Sequence, residues 1–138
     1  MIRVVTFGTF DLFHVGHLRI LERARAMGDH LSVGVSSDAL NFAKKQAAPA
    51  ITEGARLDIV RALRCVDEVF VEHDLALKRQ YLIQRRADIL VMGDDWSGHF
   101  DHLGDICRVV YLPRTGGIST TALKDLLRDG SSIIVTGR

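Results

Sequence analysis

The first apolar run of the chain leads into Gly8-Thr9-Phe10-Asp11-Leu12-Phe13-His14-Val15-Gly16-His17, which places two imidazoles, His14 and His17, at the expected start of a helix. Unpaired backbone N–H groups and the helix dipole favour an anion there, and the imidazoles add hydrogen bonds as phosphoryl charge develops. Gly16 leaves room for a close ligand. A second stretch, Arg114-Thr115-Gly116-Gly117-Ile118-Ser119-Thr120-Thr121, brings a guanidinium, a permissive glycine pair and hydroxyls to another expected helix start. Those are suitable parts for a polyphosphate clamp. A purely structural reading makes the histidines helix caps and the second stretch an ordinary capped loop. It accounts for Gly117 and Ser119 but not for the convergence of an arginine with three hydroxyls. The chain has no GxxxxGK[ST] P-loop and no GxGxxG fingerprint, which removes the main support for a P-loop phosphotransferase or a conventional dehydrogenase.

The elements that must position these groups follow from periodicity. Arg3 to Phe7 reads as a strand ending at Gly8, and Leu18, Leu21, Ala24 and Met27 recur at helical spacing until Gly28. Leu31 to Val35 is the next strand, followed by a short helix from Ser37 to Lys44 with Ser37 or Asp38 near its start. Lys45 to Ile51 interrupts the period as a loop, and a helix then runs from Glu53 to about Arg64 with Leu57, Val60 and Leu63 inward. Glu68 to Val71 is a third strand; Asp74 caps a helix to about Arg86; Ile89 to Met92 is a fourth strand and Arg108 to Leu112 a fifth. Ser119 or Thr120 caps a last helix carrying Leu123, Leu126 and Leu127 and ending near Gly130. Ser131 to Arg138 is read either as a final edge strand through Ile133, Ile134 and Val135 or as a tail packed on a partner. Short apolar strands alternating with helices imply a doubly wound, Rossmann-like α/β fold: an open parallel sheet with helices on both faces. In such sheets ligands bind outside the carboxyl ends of the strands, where the unusual motifs fall.

A chain of 138 residues, 47% apolar and 25% charged, is expected to form one domain over 1–138. Its 18 basic and 17 acidic side chains nearly cancel, so no broad footprint for nucleic acid or a membrane surface is expected and any anion site must be local. Cys65 and Cys107 are far apart and outside any CxxC pattern, which suits reduced thiols and a cytoplasmic setting. The amino terminus lacks the pattern of a signal peptide, and no run approaches a membrane span, so a soluble, unexported protein is expected. His99, Asp101, His102 and Cys107 match no common zinc spacing and read as surface or packing residues; Arg79, Arg85 and Arg86 read as solvated helix charges.

Taken together, GTFDLFHVGH, MGDDW at Met92 to Trp96 and RTGGISTT at Arg114 to Thr121 resemble, in order and spacing, the cytidylyltransferase branch of the HxGH nucleotidylyltransferases. Within that branch the likeness is to the bacterial glycerol-3-phosphate cytidylyltransferases of teichoic-acid and related CDP-glycerol pathways, and it covers Met1 to Leu127. Class I aminoacyl-tRNA synthetases carry a similar HxGH motif, but this chain is too short for them and lacks a KMSKS-like segment. The resemblance implies attack by the phosphate of glycerol 3-phosphate on the α-phosphorus of CTP, giving CDP-glycerol and pyrophosphate without a covalent enzyme intermediate. It implies contacts of His14 and His17 with the α-phosphate and its bridging oxygen, a nucleotide pocket lined by Thr9, Phe10 and Asp11, and phosphate contacts from Arg114, Thr115, Ser119 and Thr120. Lys44 matches a lysine that reaches the phosphates; Arg56, Arg64 and Asp67 match positions close to nucleotide or acceptor; Lys78 has a counterpart near the acceptor. Asp95 and Trp96 close the loop after the fourth strand near the cytosine end, with Trp96 also a candidate for the acceptor side. Mg²⁺ held mainly by the CTP phosphates is the implied cofactor, with no metal site of the protein's own, and a homodimer is the implied assembly.

Two rival readings stand beside this one. The acceptor can be another phosphorylated alcohol, such as phosphoethanolamine, phosphocholine or a sugar phosphate, or the chain can be a non-catalytic nucleotide-sensing module. One departure from the family pattern concerns the lysines. Members often place two of them one residue apart in the loop, whereas this chain has Lys44-Lys45-Gln46. In an extended loop neighbouring side chains point to opposite sides, so Lys44 is expected to carry the phosphate contact and Lys45 to face away.

Overall fold

The computed structural model describes residues 1–114 and 119–129. Five short runs of β-branched and aromatic residues form strands: β1 Arg3–Gly8, β2 His30–Ser36, β3 Glu68–Glu72, β4 Ile89–Gly93 and β5 Arg108–Leu112. They make one sheet in the order β3-β2-β1-β4-β5, and every pair is parallel. Among the described residues five α-helices connect or follow them: α1 Val15–Arg25, α2 Asp38–Lys45, α3 Glu53–Arg61, α4 Lys78–Gln84 and α5 Thr120–Asp129. This is the expected Rossmann-like doubly wound α/β fold. Among the described residues no helix is long and apolar enough to cross a membrane.

Strand alternation divides the core between two faces. Val4 of β1 joins Leu21 and Ala24 of α1 and Val60 of α3 in one cluster, whereas Val5 and Phe7 join Leu82 of α4, Leu90, Met92 and Leu103 in the other. A period of two in the strand thus feeds both layers, as a sheet covered on both faces requires. Full burial of a side chain such as Leu21 or Leu82 contributes about 1.5–3 kcal/mol. The strand order turns at β1, which has β2 on one side and β4 on the other, so a crevice opens beyond the carboxyl ends of β1 and β4.

Several boundaries differ from the sequence-based expectation. Helix α3 stops at Arg61 rather than near Arg64. Asp74 caps a single 3-10 turn, Leu75–Leu77, through an acceptor bond from the Ala76 N–H, and α4 follows and ends at Gln84. Two further 3-10 turns, Asp94–Trp96 and Asp101–Asp105, carry the chain from β4 to β5 where no element was expected. Helix α2 continues through Lys45 and closes on Gln46, which takes the left-handed φ of 57° and donates to the Phe42 carbonyl. Lys44 and Lys45 are therefore helical, and the extended-loop argument about which way they point does not apply. The expected strand or tail over Ser131 to Arg138 lies outside the described residues.

Behind the crevice, Arg56 of α3 is wholly buried. Its Nε donates to the Ile51 carbonyl at 2.9 Å, one Nη to the carbonyls of Thr9 and Ser36 at 2.8 Å each, and the other Nη to the Asp38 carboxylate at 2.6 Å. Asp38 and Glu53 further exchange carboxylate contacts with each other's backbone N–H, joining the starts of α2 and α3. The guanidinium proposed from the family resemblance as an acceptor contact is thus occupied in tying β1, β2, α2 and α3 together, and it does not line the cavity. We expect Arg56→Met to lower unfolding free energy by about 3 kcal/mol, because buried carbonyls lose their donors. Urea unfolding measures this, and a variant as stable as the parent would refute the bracing role.

Candidate active site

Beyond β1 and β4 lies a cavity of about 520 Å³. Its floor is the end of β1, where a Cβ on Gly8 would come within 2.8 Å of the Phe10 ring, so only glycine lets that ring fold back. The loop that follows is tightly turned: Phe10 and Leu12 both take left-handed backbone, with φ of 57° and 47°. Burial of Phe10 in the core of the α1 face holds that costly conformation in place.

The spacing of His14 and His17 has a definite structural basis. His14 is the N-cap of α1, and its Nδ1 accepts from the Gly16 N–H at 3.0 Å. His17 is the third helical residue, and its Nδ1 accepts from the His14 N–H at 3.2 Å. The pair forms a reciprocal capping box with imidazoles in place of the usual hydroxyl and carboxylate. The two rings stack with centroids 3.8 Å apart. Because each Nδ1 is an acceptor, the neutral tautomer carries its proton on Nε2. Burial pulls the pKa of His17 down to about 3, with His14 beside it adding to the effect, and burial lowers His14 as well. His14 Nε2 is buried without a protein partner among the described residues. Both side chains line the cavity, so two neutral rings offer Nε2–H donors at the positive end of a helix. Capping and ligand donation are one arrangement rather than alternatives.

Asp11 also lines the cavity, yet its carboxylate, 5% exposed, is directed into the protein. It accepts from the N–H groups of Ala50 at 2.8 Å, Ile51 at 2.9 Å and Leu12 at 3.1 Å, and pairs with Lys124 Nζ at 3.1 Å. Burial pushes its pKa up, but the two backbone donors from the loop after α2 and the ammonium of Lys124 outweigh that and leave it below the ordinary carboxylate value. Its carbonyl accepts from the Thr120 hydroxyl at 2.9 Å. Asp11 therefore fixes the α2–α3 loop and α5 around the histidines. Thr9 lines the cavity with its hydroxyl donating to Asn41 Oδ1 at 2.9 Å.

Arg114 and Asp95 form an exposed pair at 3.2 Å, and Ser119 Oγ caps α5 by accepting from the Ala122 N–H at 3.1 Å. Arg114, Asp95, Trp96, Ser119 and Thr120 all line the cavity; Thr115 lies outside the described residues. Of the adjacent lysines, Lys45 lines the cavity, whereas Lys44 lies in the field of Glu72 and near Lys78. Lys78 is buried, with Nζ 2.7 Å from Glu72 Oε2 and 3.7 Å from the centroid of Phe7, a residue of the cavity floor. Burial lowers the pKa of both Lys44 and Lys78 against the opposing pull of Glu72. Arg64 and Asp67 are not brought to the site. They precede β3, at the amino edge of the parallel sheet, and the Asp67 carboxylate there accepts from the Leu31 N–H and pairs with Arg25. Sequence reasoning missed Lys124 and Asn41. Lys124 stands four residues after Thr120, one helical turn along the same face, which is the signal that could have found it.

The cytidylyltransferase-like family profile matches residues 5–126. The chain is 50% identical over 125 residues to the glycerol-3-phosphate cytidylyltransferase of Bacillus subtilis strain 168, a match that covers 91% of this chain and 96% of that protein. It is 43% identical over 127 residues to the enzyme of the same name from Staphylococcus aureus, with 92% and 96% covered. The ethanolamine-phosphate cytidylyltransferase of Dictyostelium discoideum is 36% identical over 128 residues, covering 88% of this chain but 35% of that one. Among solved structures, the lipopolysaccharide core biosynthesis protein of Thermoplasma volcanium superposes with a TM-score of 0.71 at 26% identity, covering 83% of this chain and 98% of that one. With the profile spanning most of the chain and the helix-start histidines in place, this protein belongs to the cytidylyltransferase-like family.

Proposed function

We propose that this chain is an enzyme that transfers the cytidylyl group of CTP to glycerol 3-phosphate, yielding CDP-glycerol and pyrophosphate. The carrying observation is the pair of neutral Nε2–H donors at the start of α1, set in a cavity whose other walls bring Arg114, Lys45 and the α5 hydroxyls. Relatives of nearly equal length named for this reaction supply the substrates. A phosphate oxygen of the acceptor forms the new bond to the α-phosphorus as the bond to the bridging oxygen breaks, and pyrophosphate leaves with that electron pair. The attacking oxygen is already anionic, so the chemistry asks for positioning and charge stabilisation rather than a general base. His14 and His17 would donate to the α-phosphate and bridging oxygen, while Arg114, Lys45, Ser119 and Thr120 would hold the outgoing phosphates. The donor set suits phosphate oxygens rather than a resident cation, since the carboxylates of Asp11 and Asp95 are engaged by Lys124 and Arg114. Mg²⁺ carried on the CTP phosphates would neutralise part of their charge. A cytoplasmic homodimer completes the reading.

Pyrophosphate release across a matrix of nucleotides and phosphorylated alcohols tests the assignment. CTP with glycerol 3-phosphate is expected to give the highest kcat/KM. Comparable values with ATP would overturn the nucleotide, and a better phosphorylated alcohol would overturn the acceptor.

For the histidines, His17→Ala is expected to lower kcat on the order of 10² to 10³-fold while changing CTP binding much less, because the donor acts on charge formed in the transition state. A proportional loss of binding at normal kcat would make it a ground-state ligand only. The same imidazole predicts a pH effect on stability. Its folded pKa, about 3, lies below the ordinary 6.5. Between those values the unfolded chain holds more protons, so its contribution destabilises the fold progressively as pH falls from 6.5 towards 3. Unfolding midpoints should fall less over this range in His17→Ala.

The two lysines should separate by substrate. Lys45→Ala is expected to raise KM for CTP roughly tenfold, as loss of one phosphate contact does, whereas Lys44→Ala is expected to act on KM for the phosphorylated alcohol, on the side of Glu72 and Lys78. Equal effects of both variants on CTP would show that both ammonium groups reach the triphosphate.

A further inference from the structure

Helix α5 has no buried residue, and Leu127 on it is 60% exposed. Ser119 and Thr120 at its start line the cavity, and its apolar side chains Leu123 and Leu126 are only half-buried. Among the described residues two polar side-chain contacts tie its first turns to the body, and both end on Asp11: the Thr120 hydroxyl on the Asp11 carbonyl at 2.9 Å and the Lys124 ammonium on the carboxylate at 3.1 Å. That carboxylate is also where the Ala50 and Ile51 N–H groups are held, in the loop that leaves the lysine-bearing end of α2. We infer that Lys124 is a positioning residue for the nucleotide triphosphate: it locks α5 onto Asp11 and cancels the one buried negative charge in the wall of an anion site.

A carboxylate 5% exposed in the wall of a cavity that takes a polyanion would repel that ligand. Backbone N–H groups stabilise the carboxylate but bring no net charge. Among the described residues its charged partner is Lys124, which lines the same cavity and has a side chain 37% exposed. Water alone therefore does not screen the pair. Lys124 acts through Asp11 and through the placement of Ser119 and Thr120, and its effect should appear in nucleotide binding more than in the chemical step.

The inference rests on the proposed use of CTP, and its test is arranged to separate the two. Trp96 is the sole tryptophan and lines the cavity, so its fluorescence reports CTP binding directly. Wild type, K124M and K124R are titrated with CTP and Mg²⁺, their α5 amides are followed by hydrogen exchange without ligand, and their steady-state kinetics and thermal midpoints are measured. K124M should bind CTP roughly tenfold more weakly, with the loss in kcat/KM carried mainly by KM for CTP. Its α5 amides should exchange faster, and K124R should recover most of both losses. Unchanged CTP affinity in K124M would overturn the inference, whether or not the thermal midpoint falls. So would a fall in kcat with KM for CTP intact, or no recovery in K124R. Wild type that binds CTP but releases no pyrophosphate with any phosphorylated alcohol would overturn the proposed reaction instead, leaving Lys124 to be judged on binding and exchange.

Discussion

The carboxylate of Asp11 is the point on which the site depends. Three segments far apart in sequence meet there: its own loop after β1, the α2–α3 loop through Ala50 and Ile51, and α5 through Lys124. None of these contacts adds to the apolar core; they join polar segments that Phe10 burial and Arg56 anchor elsewhere. A hydrogen bond to a charged group contributes about 1.5–3 kcal/mol, against about 1 for a neutral one, which is why an ionised carboxylate suits this junction better than an amide would. Arg56 does the corresponding work one layer deeper, gathering the carbonyls of Thr9, Ser36 and Ile51. Ile51 is held by both side chains, its N–H on Asp11 and its carbonyl on Arg56.

The helix-start histidines show how local structure sets chemistry. A serine and glutamate could cap α1 equally well, but the glutamate is an acceptor only and would set a negative charge at the helix start. An imidazole has two nitrogens. When Nδ1 accepts the backbone N–H, the tautomer is decided and Nε2 is left as a donor for the ligand. Burial lowers the pKa of both rings, and the adjacent His14, 3.8 Å away, lowers that of His17 further, so neither ring is held as a cation.

How much of this was legible in the sequence follows from the range over which each signal acts. Strand positions and the parallel character of the sheet came through because short, nearly continuous apolar runs are local signals, and β5 has the expected bounds; the strand order itself is not a local property. The two 3-10 turns between β4 and β5 did not, since three to five residues are too few to set a period. Motif matching brought His14, His17, Asp95, Arg114, Ser119 and Thr120 to the same cavity, because each sits at a strand end or helix start that topology carries to one edge. It misplaced Arg56, a cation whose surroundings are fixed by contacts across dozens of positions, and Arg64 and Asp67, which lie at the amino edge. A charged residue in a motif reads the same whether it faces a ligand or a buried carbonyl.

The two ion pairs at the cavity differ in what an incoming polyanion can do to them. Arg114 and Asp95 are 65% and 50% exposed, and a pair so solvated contributes about 0–1 kcal/mol. Under the proposed reaction a triphosphate would draw Arg114 away at small cost, leaving Asp95 to water. The Asp11 carboxylate is 5% exposed and cannot be released to water in the same way, so separation of Lys124 would leave a buried charge facing the ligand. One pair is therefore suited to exchange its partner for phosphate and the other to persist while phosphate binds. The difference in burial between the two carboxylates favours that division.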